Sequence, residues 1–395
     1  MGSIFDKLNH LREVKTKLRQ KLEERDVTVT DENTFQEYVD KVDDINTLKK
    51  FLDFRGVKYL FKDVISLTEI PEDLICGYDL RNITDMSSMF YGCKSLTTIP
   101  LLDTSNVTNM NNMFSGCSKL TSIPKLDTSN VENTICMFAL CSSLTTIPLL
   151  DTSNVTIMNT MFDRCSKLTT IPQLDTSNVK NMTNMFYGCS SLRTIPLLDT
   201  SNVKNMNGMF SGCSSLTTIP LLDTSNVTDM SSMFYGCSSL TTIPLLDTSN
   251  VTSMSFMFYD CSKLTTIPQL DTSNVKNMTN MFYGCSKLTD CRLKNIKANL
   301  QVGSGTTFGH LLTVDSLLFM IGELVNVNAS RTFTVGSANL TKLSNIYVRT
   351  INITDAMRAE DALIDQKLPF EVCTSSDSGA KLVSDYVRLK NWSLK

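Results

Sequence analysis

Residues 233–261 read "MFYGCSSLTTIPLLDTSNVTSMSFMFYDC", and the motif that opens the stretch, Met-Phe-x-x-Cys, closes it 24 residues later. The motif begins at Met89 and recurs at Met113, Met137, Met161, Met185, Met209, Met233, Met257 and Met281. Leu-Asp-Thr-Ser-Asn begins at Leu102 and returns at the same interval as far as Leu270, with no insertion to break the register. A fixed period of about 20–50 residues marks a solenoid or another repeat array. Each unit is too small to close a core alone, so it must stack on copies of itself.

One turn reads S-x-L-T-x-I-P-x-L-D-T-S-N-V-x-x-M-x-x-M-F-x-x-C. About eight apolar side chains per turn are expected inside, at roughly 1.5–3 kcal/mol gross each. In the turn after Cys117, Leu120 and Ile123 are placed on a short strand, and Leu126 and Val131 flank a polar corner. Met137, Phe138 and Cys141 then return on a helical or 3₁₀ segment. Stacked strands lie about 4.8 Å apart, so nine turns would span roughly 45 Å. The prolines from Pro100 to Pro268 follow the strand, where a missing N–H is expected to end the ladder.

The polar letters carry their own expectations. The asparagine of "DTSN" should form a column whose amides bond the backbone of adjacent turns. Asp103 and its counterparts suit an Asx-turn, in which the carboxylate accepts N–H groups two or three residues on; a calcium column is the alternative. Nine cysteines fall one per turn, from Cys93 to Cys285. That placement suits stacked buried thiols, since free cysteine behaves as a small hydrophobe, with disulfides between neighbouring turns as the alternative.

The string "MFxGCSxLTTIPxLDTSNVTxM" resembles the BspA-like leucine-rich repeat family, the DUF285 type, of bacterial surface and phage proteins, over roughly residues 56–292. The resemblance implies a right-handed solenoid with a parallel sheet on one face. The expected fold class is therefore an α/β leucine-rich-repeat solenoid with an N-terminal helical module and a C-terminal α+β cap. The expected domains are 1–50, 51–292 and 293–395.

At the N-terminal end of the array, "YLFKDVISLTEIP" keeps the skeleton of a degenerate first turn, with Phe61, Val64, Leu67 and Ile70 in the Phe, Cys, Leu and Ile slots. At the other end Cys291 replaces the strand isoleucine, and the repeat is left at "CRLKNIKANL". Before the array, Ile4, Leu8, Leu11, Leu18 and Leu22 follow a heptad-like spacing suited to docking or self-association, and a lone amphipathic helix packed on its own domain would show the same stripe. Thr34 to Glu37 form a capping box for a second helix. These N-terminal helices resemble modules on phage tail and fibre proteins. After the array, "TVDSLLFMIGELV" reads as a capped helix, with Leu317, Leu318, Ile321 and Leu324 inward. "RTFTVGSANLTKL" reads as a strand, "TDAMRAEDALIDQ" as a helix, and "VRLKNWSLK" as a terminal strand holding Trp392.

Composition narrows the function. The 395 residues carry a formal net charge of −3, which supplies no basic field for nucleic acid or lipid. Only His10 and His310 occur, which leaves little room for histidine catalysis or zinc. No G-x-S-x-G, P-loop, H-E-x-x-H or C-x-x-C pattern is present, so no enzyme, metal or cofactor is expected. The N-terminus lacks an apolar signal region, no run approaches the roughly 20 apolar residues that span a bilayer, and Asp6 breaks a myristoylation motif. The surface remains. Tyr235, Tyr259 and Tyr283 recur in consecutive turns with Phe256 nearby, a candidate aromatic platform for a sugar or protein; mutual packing is the plainer reading. The expected function is a phage virion protein, a tail or head fibre. Its N-terminal helices would dock to other virion proteins, with homo-oligomerisation possible, and its repeats would meet a host glycan or protein. The alternative is a bacterial surface adhesin.

Overall fold

In the computed structural model the described residues are 57–70, 80–298, 300–302, 331–335 and 392–394, with single positions between 312 and 323. The chain divides into two compact units, 1–168 and 169–395. Residues 1–50, with Ile4, Leu8, Leu11, Leu18, Leu22 and the capping box, lie outside the described residues, as do Leu317, Leu318, Ile321, Leu324 and the stretch 354–366.

The sequence period is the coil of the structure. In the first unit parallel bridges join Asp85 to Asn109, Asn109 to Asn133, and Asn133 to Ile157, each partner 24 residues on. In the second unit the same ladder runs through Asn181, Asn205, Asp229, Ser253 and Asn277. Every coil buries the same set. Leu216, Ile219, Leu222, Val227, Met230, Met233, Phe234 and Cys237 are all buried, and so are their counterparts one coil away. The phenylalanines stack face to face through each interior. Ring centroids stand 5.4–5.6 Å apart from Phe61 to Phe162 in the first unit, and 5.6–5.8 Å apart from Phe186 to Phe282 in the second. A coil cut from the stack would expose these faces, which is why 24 residues cannot fold alone.

The return segment is neither an α-helix nor a 3₁₀ helix. Tight i→i+3 bonds do occur, as where Met233 N–H donates to Met230 and Cys237 N–H donates to Phe234. Alternate residues instead reach the next coil: Ser232 N–H donates to Ser255, Phe234 to Met257 and Gly236 to Tyr259. Two residues per coil take positive φ to permit this alternation, for example Ser232 at 55° and Gly236 at 68°. A turn with positive φ at its third residue favours Gly or Asn there. That preference explains the glycine of "MFYGC".

The proline expectation also needs correction. Strand β1, Thr266–Asp271, pairs in parallel with β2, Asp290–Lys294, and Pro268 lies inside β1. The register runs Ile267 to Cys291 and then Leu270 to Leu293, so β1 carries one extra residue across the proline. A bulge accommodates the missing donor, and the chain resumes pairing beyond it. Cys291 occupies the isoleucine slot as expected. In the other coils this segment is joined to its neighbour by single bonds, as where Thr217 N–H donates to the Arg193 carbonyl.

The degenerate first turn docks as a coil: Phe61 stacks on Phe90, and Phe61 N–H donates to the Met89 carbonyl. Past the array, Thr313 N–H still donates to Thr289, one period earlier. Thr313 Oγ1 accepts the Ser316 N–H, and Glu323 N–H donates to the Phe319 carbonyl. A three-stranded parallel sheet follows, ordered β3 (Leu300–Val302), β4 (Arg331–Val335), β5 (Trp392–Leu394). Two of these strands were expected; β3 was not.

Candidate functional site

Most of the polar surface is spent holding coils together. In "DTSN" the aspartate is an Asx-turn acceptor. Asp223 Oδ1 takes the Ser225 N–H at 3.0 Å and the Ser225 hydroxyl at 2.6 Å. The threonine points inward and forward, where the buried Thr224 Oγ1 donates to the Asp247 carbonyl of the next coil at 2.8 Å. The asparagine points backward, Asn226 Nδ2 donating to the Ser201 carbonyl of the previous coil at 2.7 Å. The asparagine column is thus present, and the aspartates are turn acceptors. The serine hydroxyls bonded to Asp127, Asp151, Asp199 and Asp223, aided by the serine N–H groups, hold these carboxyls below the usual range. Among the described residues no cluster of three or more His, Cys, Asp or Glu side chains could hold a metal ion.

The cysteine ladder is equally internal. All nine repeat cysteines are buried thiols that form no disulfide. Cys237 Sγ, for instance, donates to the Phe210 carbonyl of the preceding coil at 3.1 Å. Burial pushes the Cys141 and Cys285 thiols up to about 12. Such thiols are protonated at neutral pH and poor nucleophiles.

Two columns of the second unit keep part of their side chains open to solvent. The first is the tyrosine column. Tyr235 and Tyr259 stack at 4.7 Å and 5°, Tyr259 and Tyr283 at 4.5 Å and 12°, and Phe256 leans on Tyr259 at 5.9 Å and 47°. The structure brings all four residues together. Because the rings cover each other's faces, solvent meets their edges and hydroxyls. Tyr235 and Tyr283 are 37% and 40% exposed. Burial, the carboxylate of Asp260 and the flanking tyrosines raise the Tyr259 pKa. Phe256 and Asp260 both take φ 57°, in slots where neighbouring coils place Ser, Asn or Gly. Every coil takes positive φ in these slots, and here they hold an aromatic ring and a carboxylate.

The second column was not anticipated. Each "IPLLD" holds two leucines, and only the second is buried. Leu197, Leu221 and Leu245 are 62%, 64% and 61% exposed, although Leu198, Leu222 and Leu246 beside them are core. They line a groove of about 1440 Å³, with Asp199, Asp223 and Asp247 among the lining residues. The doubled leucine was a signal: successive residues of an extended chain point to opposite faces, so one of the pair had to face outward.

No helix among the described residues is long and apolar enough to cross a membrane. The family described as "Mycoplasma protein of unknown function, DUF285" matches residues 56–170, 137–238 and 217–302. Comparison with curated proteins gives no match. Among solved structures, the leucine-rich repeat protein of T. pallidum is 20% identical, covering 56% of this chain and 77% of its own, with a TM-score of 0.27. One from Bacteroides ovatus is 18% identical over 60% and 81%, at 0.26. A leucine rich cell surface protein of Faecalibacterium prausnitzii is 19% identical over 58% and 84%, at 0.27. The coil geometry, and not these likenesses, carries the fold.

Proposed function

The chain belongs to the DUF285 family, and from that premise we propose that it is a non-enzymatic binding protein displayed at a bacterial cell surface, where its repeats contact a host glycan or protein. One observation carries the reading. In the second unit the Asp, Thr and Asn side chains of the repeat bond within and between coils, while the edges of the stacked tyrosines and the outer leucines stay open to solvent. A surface of identical coils with spare aromatic and apolar columns suits contact, and nothing among the described residues assembles an acid, base and nucleophile. The family description, drawn from Mycoplasma, favours a bacterial setting. The virion setting rests on helices in residues 1–50, outside the described residues, and none of the comparisons supports it.

In the tyrosine column, whose ring centroids stand 4.5–4.7 Å apart, the ring edges and phenolic hydroxyls would make the contact. Phe256, held beside them by an uncommon backbone conformation, widens the apolar part. The test is whether antibody or protease reaches the protein on intact cells, paired with host-cell and glycan-array binding. The expected result is accessible protein whose binding falls when Tyr235, Tyr259 and Tyr283 are all replaced by Ala. Protein confined to the cell interior or to phage particles would overturn the setting, and unchanged binding by the triple variant would retire the tyrosine column.

A further inference from the structure

The second unit's groove combines two features that are each unfavourable in water. Leu197, Leu221 and Leu245 lie on consecutive coils, each more than half exposed. Alongside them the row Asp199, Asp223 and Asp247 repeats one carboxylate per coil. Like charges about 5 Å apart repel by roughly 0.8 kcal/mol per pair even in water. Nothing in the coil needs the outer leucine, since the array tolerates Lys125, Gln173 and Gln269 in the same slot. The three leucines are therefore surplus to folding, and they line the same groove.

The geometry points to a cationic amphipathic helix of a partner polypeptide, lying across the coils, as the occupant of this groove. The inference deepens the proposed binding role and rests on it. The carboxylate row selects the charge of the partner, and the leucine row requires an apolar stripe between its cations. Nucleic acid and anionic membranes are repelled by the row, a second copy would bring the same carboxylates, and a free polyamine would leave the leucines wet. Spacing selects the helix. Coils repeat about every 4.8 Å, and equivalent rings of this unit stand 4.5–4.7 Å apart in the tyrosine column and 5.6–5.8 Å apart in the phenylalanine column. A helix presents side chains on one face every 4.5–5.4 Å or so, at i+3 or one turn on. A strand presents them about every 6.6 Å and would lose register within two coils. From Asp175 to Asp271 the row takes four coil spacings, about 19 Å, which about 13 helical residues would cover.

The test uses the full chain and a fluorescein-labelled 14-residue peptide of Leu and Lys, with leucines at i, i+3, i+4 and i+7, read by fluorescence anisotropy. Two variants keep the fold. Leu221→Ser changes an exposed side chain, and Asp223→Asn retains an oxygen to accept the Ser225 N–H. We expect saturable binding that weakens about tenfold in Leu221→Ser. In Asp223→Asn it should weaken about threefold with a shallower salt dependence. Melting temperatures should not move. Equal binding by wild type and both variants would mean general attraction to an acidic chain and overturn the site. Tighter binding of a peptide with alternating Leu and Lys, or no saturable binding, would do the same. So would self-association that Leu221→Ser abolishes, since a second copy would then hold the groove. The cell-surface measurement is unaffected by any of these results, so the groove can fail while the wider reading stands.

Discussion

At Leu140 the backbone takes φ 62° with the side chain 42% exposed, while Gly116 fills the same slot one coil earlier at 80°. The left-handed region costs a residue with a Cβ roughly 1–2 kcal/mol, and a glycine gives back about 0.5–1 kcal/mol through its freer unfolded chain. Set against the apolar burial lost with the leucine, Leu140→Gly should leave the urea midpoint level or slightly raised, within about 1 kcal/mol of stability. The reverse change, Gly212→Leu, should lower it, because Gly212 sits at φ 76° and an added Cβ would stand 3.3 Å from the Gly188 Cα. Urea titrations of the two variants beside wild type decide the matter, and a destabilised Leu140→Gly would contradict the strain argument. The slot was visible in the repeat as a frequent glycine. Its meaning was not, because the pattern Met-Phe-x-x-Cys is equally compatible with a helical turn, and only φ separates the two.

At the scale of one coil, "DTSN" divides its labour by direction. Thr224 bonds forward from a buried position and Asn226 bonds backward from an exposed one. Losing a buried partner strands the acceptor, whereas losing an exposed one returns it to water. Thr224→Val should cost about 1–3 kcal/mol and Asn226→Ala about 1 kcal/mol or less. Thermal or urea unfolding of the two single variants gives the comparison, and an equal or inverted ranking would show that the threonine bond is not the stronger staple. The asparagine column and the Asx-turns were legible because those residue types have few other uses at a fixed corner. The threonine staple was not, since a Thr between Asp and Ser reads equally well as a solvated turn residue. Pro268 shows the opposite limit. Its missing donor was legible, but whether the ladder stops or bulges depends on a neighbouring coil that local sequence does not describe.

For the whole molecule, the buried thiols make stability depend on alkaline pH. A thiol whose pKa is higher folded than unfolded favours the folded state below the unfolded value, near 9, and this contribution disappears as pH climbs through the folded value. For Cys141 and Cys285 that window runs from about 9 to about 12. Burial also raises Cys213, Cys237 and Cys261 well above the ordinary range. Each thiol steepens the loss by up to about 1.4 kcal/mol per pH unit inside its window. Urea midpoints should therefore fall steeply as pH rises from about 9 toward 12, and less steeply after Cys213→Ala; a flat profile would mean that the ladder is not dry. The formal charge of −3 and the absence of familiar catalytic motifs had already turned attention to the surface. They did not say which part of it.

The period and the identity of the buried column letters were determined by the sequence alone, because an uninterrupted 24-residue repeat can hide its apolar side chains only by stacking in register. What tertiary structure decided was direction: which leucine of a pair turns outward, which side of the tyrosine rings meets water, and where the chain must go left-handed to reach its neighbour. Those outcomes depend on the adjacent coil, which supplies both the hydrogen-bond partner and the excluded volume, and no single repeat contains that information.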